Sequence, residues 1–310
     1  MNVITPQEQA TAMCGQGGED ATFCKQITPS HSSNDYLRNG APYMKGNQTT
    51  MTGVPQETGE WIRRFHPSDA QTRLVCFPHA GGAATFYHPV SQALSPSVDV
   101  LAVQYPGRQE RHTEPCISDL SMLAERVAEE LHPWTDRPMA FFGHSMGAIL
   151  GYEVARRLQS SGVQLLTLFA SGRRAPSCLR DEDMHRRDND GIIDELKQLQ
   201  GTDARLLDDP EIVRMLLPAI RSDYQAVETY RYEPGPLLTC PIIALTGNED
   251  PHVTYDEATS WRSHTSGPFE LQTYSGGHFY LNSHAAAVME TIVWHIRAAS
   301  SGWLEEPRTA

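Results

Sequence analysis

The sequence has no long apolar run, no closely spaced cysteine pair and no surplus of basic residues. No stretch approaches the roughly 18 apolar residues that a membrane span requires. Because the cysteines show neither a CxxC motif nor a metal-ligand spacing, we expect reduced thiols and no disulfide framework. The six cysteines are Cys14, Cys24, Cys76, Cys116, Cys178 and Cys240.

Acidic residues outnumber basic ones by 38 to 25, which gives a formal net charge of −13. Nucleic acids and anionic membranes attract basic surfaces, so neither is expected as a main partner. An acidic protein could still dock on a local basic patch. The first residues, MNVITPQEQA, lack the basic segment and apolar core of a signal peptide. We therefore expect a cytoplasmic protein, and a monomer.

The chain divides by composition. Residues 1–58 are rich in Gly, Ser, Thr, Asn and Gln without strand or helix periodicity, which predicts a disordered extension. A docking element is the alternative, and Met51 is an alternative translation start. Residues 59–300 are predicted to form one domain, and residues 301–310 a flexible tail.

Short apolar runs alternate with amphipathic segments from Arg73 onward, which predicts βαβ units, a mostly parallel sheet and the α/β class. A helix capped by Ser118 and a C-terminal helix from Ala285 to Ile296 are expected to lie on the sheet. The predicted strands are Leu74–Phe77, Val98–Gln104, Met139–Phe142, Leu165–Ala170, Ile242–Leu245 and Phe269–Tyr274.

Residues 176–236, here called the helical insertion, interrupt this alternation. The segment contains an apolar helical pattern at Ile192–Leu199. A longer helix is predicted to begin at Asp209-Pro210, because Asp is a good N-cap and Pro suits the first turn. We expect the helical insertion to act as a lid over a site, and a peripheral subdomain is the alternative.

Gly143-His144-Ser145-Met146-Gly147 is the strongest chemical motif. It follows a predicted strand and precedes a predicted helix, the context in which a G-x-S-x-G motif forms a strained turn that exposes its serine. A chance match in an ordinary turn is the alternative. The motif predicts Ser145 as a nucleophile in an α/β-hydrolase fold.

A serine hydroxyl needs a general base, and thirteen histidines are available. In this fold the order along the chain is nucleophile, acid, histidine. His278 follows the last predicted strand, as the base should. The competitors, which we interpret as loop or helix-surface residues, are His252, His264, His284 and His295.

The acid should follow a strand between Ser145 and His278. Asp250 comes just after the strand Ile242–Leu245, where it would hold the imidazole in the correct tautomer. The alternatives are Glu249, Asp256 at the start of the next helix, and Asp223 in the helical insertion.

Catalysis by acyl transfer also requires backbone donors for the developing oxyanion. The Met146 amide, directly after the serine, is one candidate. The loop Pro78-His79-Ala80-Gly81-Gly82 follows the first predicted strand and should supply the other. We favour the Ala80 amide over that of Gly81.

With these motifs placed, the sequence closely resembles the type II thioesterases of polyketide and non-ribosomal peptide biosynthesis, over about Gly59 to Arg297. The resemblance implies an α/β-hydrolase that acts without cofactor or metal and cleaves acyl groups from the phosphopantetheine arm of carrier proteins, removing aberrant or stalled units. The matching segments are Trp61–Phe65, Cys76–Gly82, Gln104–Arg108, Phe142–Gly147, Ser171–Pro176 and Ser275–Leu281.

Four arginines, Arg108, Arg111, Arg173 and Arg174, follow strand ends. They could contact the pantetheine phosphate or the acidic carrier surface, and structural ion pairs are an equal alternative. Two rival functions also stay open: a serine esterase or acyltransferase of the same fold, and a catalytically idle binding subunit.

Overall fold

The computed structural model of the protein describes residues 60–199, 201 and 207–303. The predicted disordered extension, residues 1–58, lies outside the described residues. The last helix continues to Trp303, so residues 301–303 of the predicted tail are helical.

The described residues form a seven-stranded sheet in the order β1-β3-β2-β4-β5-β6-β7. Strand β1 pairs antiparallel with β3, and all other neighbours are parallel, so the predicted mostly parallel α/β fold is confirmed. The six predicted runs are strands, whereas β1 escaped prediction because it has only two residues. The strands are β1 Ile62–Arg63, β2 Arg73–Phe77, β3 Asp99–Val103, β4 Met139–His144, β5 Leu165–Ser171, β6 Ile242–Gly247 and β7 Phe269–Tyr274.

The core lies on both faces of the sheet. Every residue of β2 through β6 is buried, as expected for parallel strands covered by helices on each side. Successive side chains alternate between the faces: Val75 and Phe77 pack in one apolar cluster, Leu74 and Cys76 in the other. Burial raises the pKa of the Cys76 thiol far above its ordinary value.

Eight α-helices of the described residues surround the sheet. The N-cap of α2 is Asp119, whose carboxylate accepts from the Met122 amide, so the prediction of Ser118 was wrong by one residue. Asp209 caps α5 as predicted. The helices are α1 His88–Leu94, α2 Leu120–Leu131, α3 Met146–Ser160, α4 Asn189–Leu199, α5 Pro210–Thr229, α6 Tyr255–Thr259, α7 Tyr280–Ser283 and α8 Ala285–Trp303.

The helical insertion contains α4 and α5, and no strand is found among its described residues. It has a small apolar cluster of its own, in which Ile192 and Leu196 of α4 meet Leu217 and Ile220 of α5. This cluster holds the two helices together over the edge where the parallel strands end.

The described part of the chain contains no helix long and apolar enough to cross a bilayer. Its four cysteines, Cys76, Cys116, Cys178 and Cys240, are free. Cys14 and Cys24 lie outside the described residues.

Candidate active site

Ser145 lies in the sharp turn between β4 and α3. Its φ of 54° is in the left-handed region, a conformation that costs energy in a residue with a side chain. A Cβ on Gly143 would collide with the carbonyl oxygen of Gly147, so the two glycines allow the strand and helix to meet. The Ser145 amide donates to the carbonyl of Ser171 at 2.8 Å, which fixes the turn against β5.

Asp250 and His278 follow β6 and β7. Nδ1 of His278 lies 2.8 Å from Oδ2 of Asp250, whose side chain is fully buried. The two loops are also joined through their backbones, since the Glu249 amide donates to the carbonyl of Gly276. The carboxylate therefore orients the imidazole and can stabilise its positive form.

Ser145 and His278 line one cavity of about 210 Å³. The ring of His144, directly before Ser145, lies 5.0 Å from the ring of His278. The structure thus places Ser145 in the same cavity as His278, and His278 in contact with Asp250.

The other candidate acids lie elsewhere. Glu249 is exposed, and Asp256 lies in the first turn of α6. Asp223 is buried, but it pairs with Arg108 and not with a histidine. Asp250 is the only one of the four that contacts His278 in the described part of the chain.

Three of the competing histidines differ from the interpretation as surface residues. The side chain of His295 in α8 is only 11% exposed. His264 is 1% exposed, within hydrogen-bond distance of Ser177 and Tyr152, and burial lowers its pKa to about 4. His252 lines the cavity, where its ring lies 5.2 Å from that of His278.

The backbone amides of the loop after β2 differ in their hydrogen-bond acceptors. The Gly81 amide donates to Asp223 at 2.8 Å, and the Gly82 amide donates to the carbonyl of His79 at 2.9 Å. No acceptor for the Ala80 amide is found among the described residues, and Ala80 lines the cavity. The Met146 amide is the first of α3, where helix geometry leaves the N–H groups without intrahelical acceptors.

Two further imidazoles surround the site. Burial and the nearby His278 lower the pKa of His79 to about 3 and that of His144 well below its ordinary value. Both are therefore uncharged near neutral pH. Their rings pack against Phe279 at 4.9 and 5.0 Å, which gives the site an aromatic wall.

Three of the four arginines are themselves buried and form ion pairs, which is the structural alternative given above. Arg108 pairs with Asp223, Arg111 with Glu114, and Arg174 with Glu182. To bind a phosphate, Arg108 or Arg174 would first have to release its carboxylate partner.

Arg173 differs from these three arginines because it lines the cavity. Its Nε has no hydrogen-bond partner within the described residues, and its guanidinium lies 4.0 Å from Glu182. Burial and the neighbouring Arg174 lower its pKa to about 10, so it is still charged at neutral pH.

Within the described residues, no three His, Cys, Asp or Glu side chains are grouped so as to hold a metal ion. The chemistry that this arrangement can perform is acyl transfer through a serine.

The thioesterase domain model matches residues 72–295, which contain the strands β2 to β7, the turn at Ser145 and the His278 loop. The chain belongs to the thioesterase family. The resemblance given by the sequence motifs is thereby confirmed at the level of the family.

Named thioesterases are similar over most of the chain. A probable cadicidin biosynthesis thioesterase of Streptomyces griseus is 52% identical over 239 residues, which are 77% of this chain and 66% of that protein. Thioesterase PikA5 of Streptomyces venezuelae is 47% identical over 260 residues, covering 82% and 92%. The type II thioesterase BorB from the borrelidin biosynthetic cluster has a TM-score of 0.74 at 50% identity, covering 78% and 99%. The prediction of a type II thioesterase with the α/β-hydrolase fold is confirmed.

From the sequence, Glu195 of this thioesterase site was missed, and Asp223 was considered only as an alternative catalytic acid. Glu195 of α4 contacts His252, and Asp223 of α5 contacts the loop after β2. Both belong to helices whose apolar periodicity was recognised. The signal that could have identified them is a charged residue placed on the apolar face of each helix.

Proposed function

We propose that this thioesterase hydrolyses acyl groups from the phosphopantetheine arm of carrier proteins in a polyketide or non-ribosomal peptide synthase, and thereby removes aberrant or stalled units. The family match supports the reaction, and the named relatives from biosynthetic clusters support the substrate class. Carrier domains would then be its protein partners, in the cytoplasm.

In the first step, Ser145 attacks the thioester carbonyl while His278 accepts the hydroxyl proton. The Met146 and Ala80 amides donate to the oxyanion of the tetrahedral intermediate. The carbon–sulfur bond breaks, and the pantetheine sulfur leaves as a thiol after it takes the proton from His278. Asp250 stabilises the imidazolium between these proton transfers.

In the second step, His278 removes a proton from water as the water oxygen attacks the acyl-serine carbonyl. Collapse of the second tetrahedral intermediate breaks the ester bond, and the proton returns to Ser145. The products are a carboxylic acid and free enzyme. No group outside this chain is needed for the proton balance.

We also infer that the helical insertion is a lid. Leu196 of α4 and Tyr224 of α5 line the same cavity as Ser145, and so does Met184 between β5 and α4. An acyl chain attached to Ser145 would lie against these side chains and be separated from bulk water.

The observation that carries the proposal is the cavity that Ser145 shares with His278, whose imidazole lies within hydrogen-bond distance of Asp250. Ser145→Ala should lose nearly all hydrolysis of an acyl-pantetheine thioester and all labelling by a fluorophosphonate. Ser160→Ala is the matched control, at the exposed C-terminal end of α3, the helix that follows Ser145. It should keep both the hydrolysis and the labelling.

Full thioester hydrolysis by Ser145→Ala would overturn the mechanism. Faster hydrolysis of matched oxygen esters would favour an esterase, and an unlabelled, inactive parent chain would favour an idle binding subunit. Hydrolysis rates on a panel of acyl-loaded carrier proteins would identify the preferred acyl group.

A further inference from the structure

A carboxylate of the helical insertion reaches the loop that carries Ala80. Asp223 of α5 is 1% exposed, and its Oδ2 accepts from the Gly81 amide at 2.8 Å. The same carboxylate accepts from Nη1 and Nη2 of Arg108 at 2.7 and 2.9 Å. Burial alone would lower the pKa of the Arg108 guanidinium, but the Asp223 carboxylate raises it above its usual value, so Arg108 is charged.

The rest of the loop is fastened by the segment after β3. The Tyr105 hydroxyl donates to the carbonyl of Pro78 at 3.0 Å, and Nη1 of Arg108 donates to the carbonyl of Gly82 at 3.0 Å. Asp223 supplies the acceptor in the middle of the loop. Ala80 lies between these attached groups and lines the cavity, and no acceptor for its amide is found in the described part of the chain.

Packing adds a second contact between α5 and the loop. Gly81 has a φ of 75°, and a Cβ there would lie 2.6 Å from Cγ1 of Ile220. Ile220 and Asp223 are three residues apart, so they share one face of the helix. That face therefore meets the loop through both an apolar contact and a charged hydrogen bond.

We propose that Asp223 is a positioning residue for the oxyanion hole. By accepting from the Gly81 amide it fixes the peptide plane between Ala80 and Gly81. That plane adjoins the one that carries the Ala80 N–H, so fixing it restricts the directions in which the Ala80 N–H can point. Arg108 compensates the buried charge and holds the next carbonyl. The inference rests on the proposed function, because it concerns the geometry of the same acyl-transfer step.

The test compares two double variants that both lack the buried charges. Arg108→Met with Asp223→Asn keeps a carbonyl oxygen at the Asp223 position, which can accept from Gly81. Arg108→Met with Asp223→Leu has a side chain of similar size and no acceptor. Because neither leaves an unpaired buried ion, the comparison isolates the hydrogen bond.

We expect kcat of the Leu variant to be about 10- to 100-fold below that of the Asn variant, with KM within about twofold. Loss of one oxyanion donor costs roughly 10²–10³ in kcat, and a misdirected donor should cost less. The affinity for a trifluoromethyl ketone, which forms a tetrahedral adduct with the serine, should fall in the same ratio. Thermal unfolding of both variants measures the folded fraction by which the rates are corrected.

Equal corrected kcat for the two double variants would overturn the inference, and so would a loss confined to KM. If the Leu variant does not fold, Asp223→Glu takes its place, since it keeps the charge and displaces the acceptor by one methylene. An unchanged kcat for Asp223→Glu would then be the contradicting result. Failure of the proposed function is distinct, because it would appear as a parent chain without thioesterase activity.

Discussion

Nε2 of His252 lies 2.9 Å from Oε1 of Glu195, and this pair joins α4 of the helical insertion to the loop after β6. The backbone amide of His252 also donates to Oδ1 of Asp250 at 2.8 Å. One residue therefore contacts both the helical insertion and the carboxylate that orients His278. The position of α4 is thereby tied to the catalytic side of the sheet.

Replacing Glu195 should loosen α4. In Glu195→Gln, backbone amides of α4 should exchange hydrogen up to about fivefold faster near neutral pH, because a partly exposed contact between a carboxylate and a side-chain donor contributes at most about 1 kcal/mol. Asp194→Asn makes the same charge change at an exposed position of α4 and should leave exchange unaltered. Equal acceleration in both variants would contradict a specific pair.

The same pair predicts a pH dependence. The hydrogen bond from His252 lowers the pKa of Glu195 below its ordinary value of 4.5. A carboxyl whose pKa is lowered in the folded state adds stability above its ordinary pKa and loses it as the pH falls through the lowered value. Below that pH, the parent chain and Glu195→Gln should exchange alike, and a difference that persists there would point to another cause.

Removing the charge of Asp250 should impair chemistry and leave substrate binding intact. Asp250→Asn should lower kcat by about 10⁴-fold with little change in KM, because an amide favours the wrong imidazole tautomer. Glu249→Gln, at the exposed neighbouring position, is the control and should retain activity. Steady-state kinetics on a small acyl thioester would decide, and a loss of less than tenfold in Asp250→Asn would argue against its role.

Arg173 is the arginine for which we predict a contact with the pantetheine phosphate. Arg173→Met should raise KM for an acyl-phosphopantetheine by about tenfold or more, because a hydrogen bond to a charged group contributes roughly 1.5–3 kcal/mol. An N-acetylcysteamine thioester lacks the phosphate and serves as the matched substrate. Added salt should raise KM only for the phosphorylated substrate. If Arg173→Met changed KM equally for both substrates, the contact would be excluded.

The sequence was sufficient for six of the seven strands in the described sheet and for the chain order of the candidate triad. Buried parallel strands are continuous apolar runs, and the turn at Ser145 is marked by its own glycines. Strand β1 has too few residues to show a pattern, and Ser118 and Asp119 are equally good caps by residue type.

Contacts between distant segments were beyond such reasoning. The bond from Gly81 to Asp223 spans 142 positions, and the pair of Arg108 and Asp223 spans 115. A charged residue in an amphipathic helix is usually solvated, so periodicity alone does not reveal that Asp223 is buried. Whether Arg108 meets a carboxylate or a phosphate depends on that same packing.

The contacts that hold Gly81 in place come from two parts of the chain. Asp223 belongs to the helical insertion, and its partner Arg108 lies in the segment after β3. Were α5 to swing outward, the loop would lose its acceptor and the guanidinium its counter-ion in a single movement. Closure and assembly of the oxyanion hole would then work as an interlock. An open enzyme could admit an acyl arm or release an acid. Without an assembled oxyanion hole, it would not hydrolyse the acyl group of a carrier that contacts it only briefly.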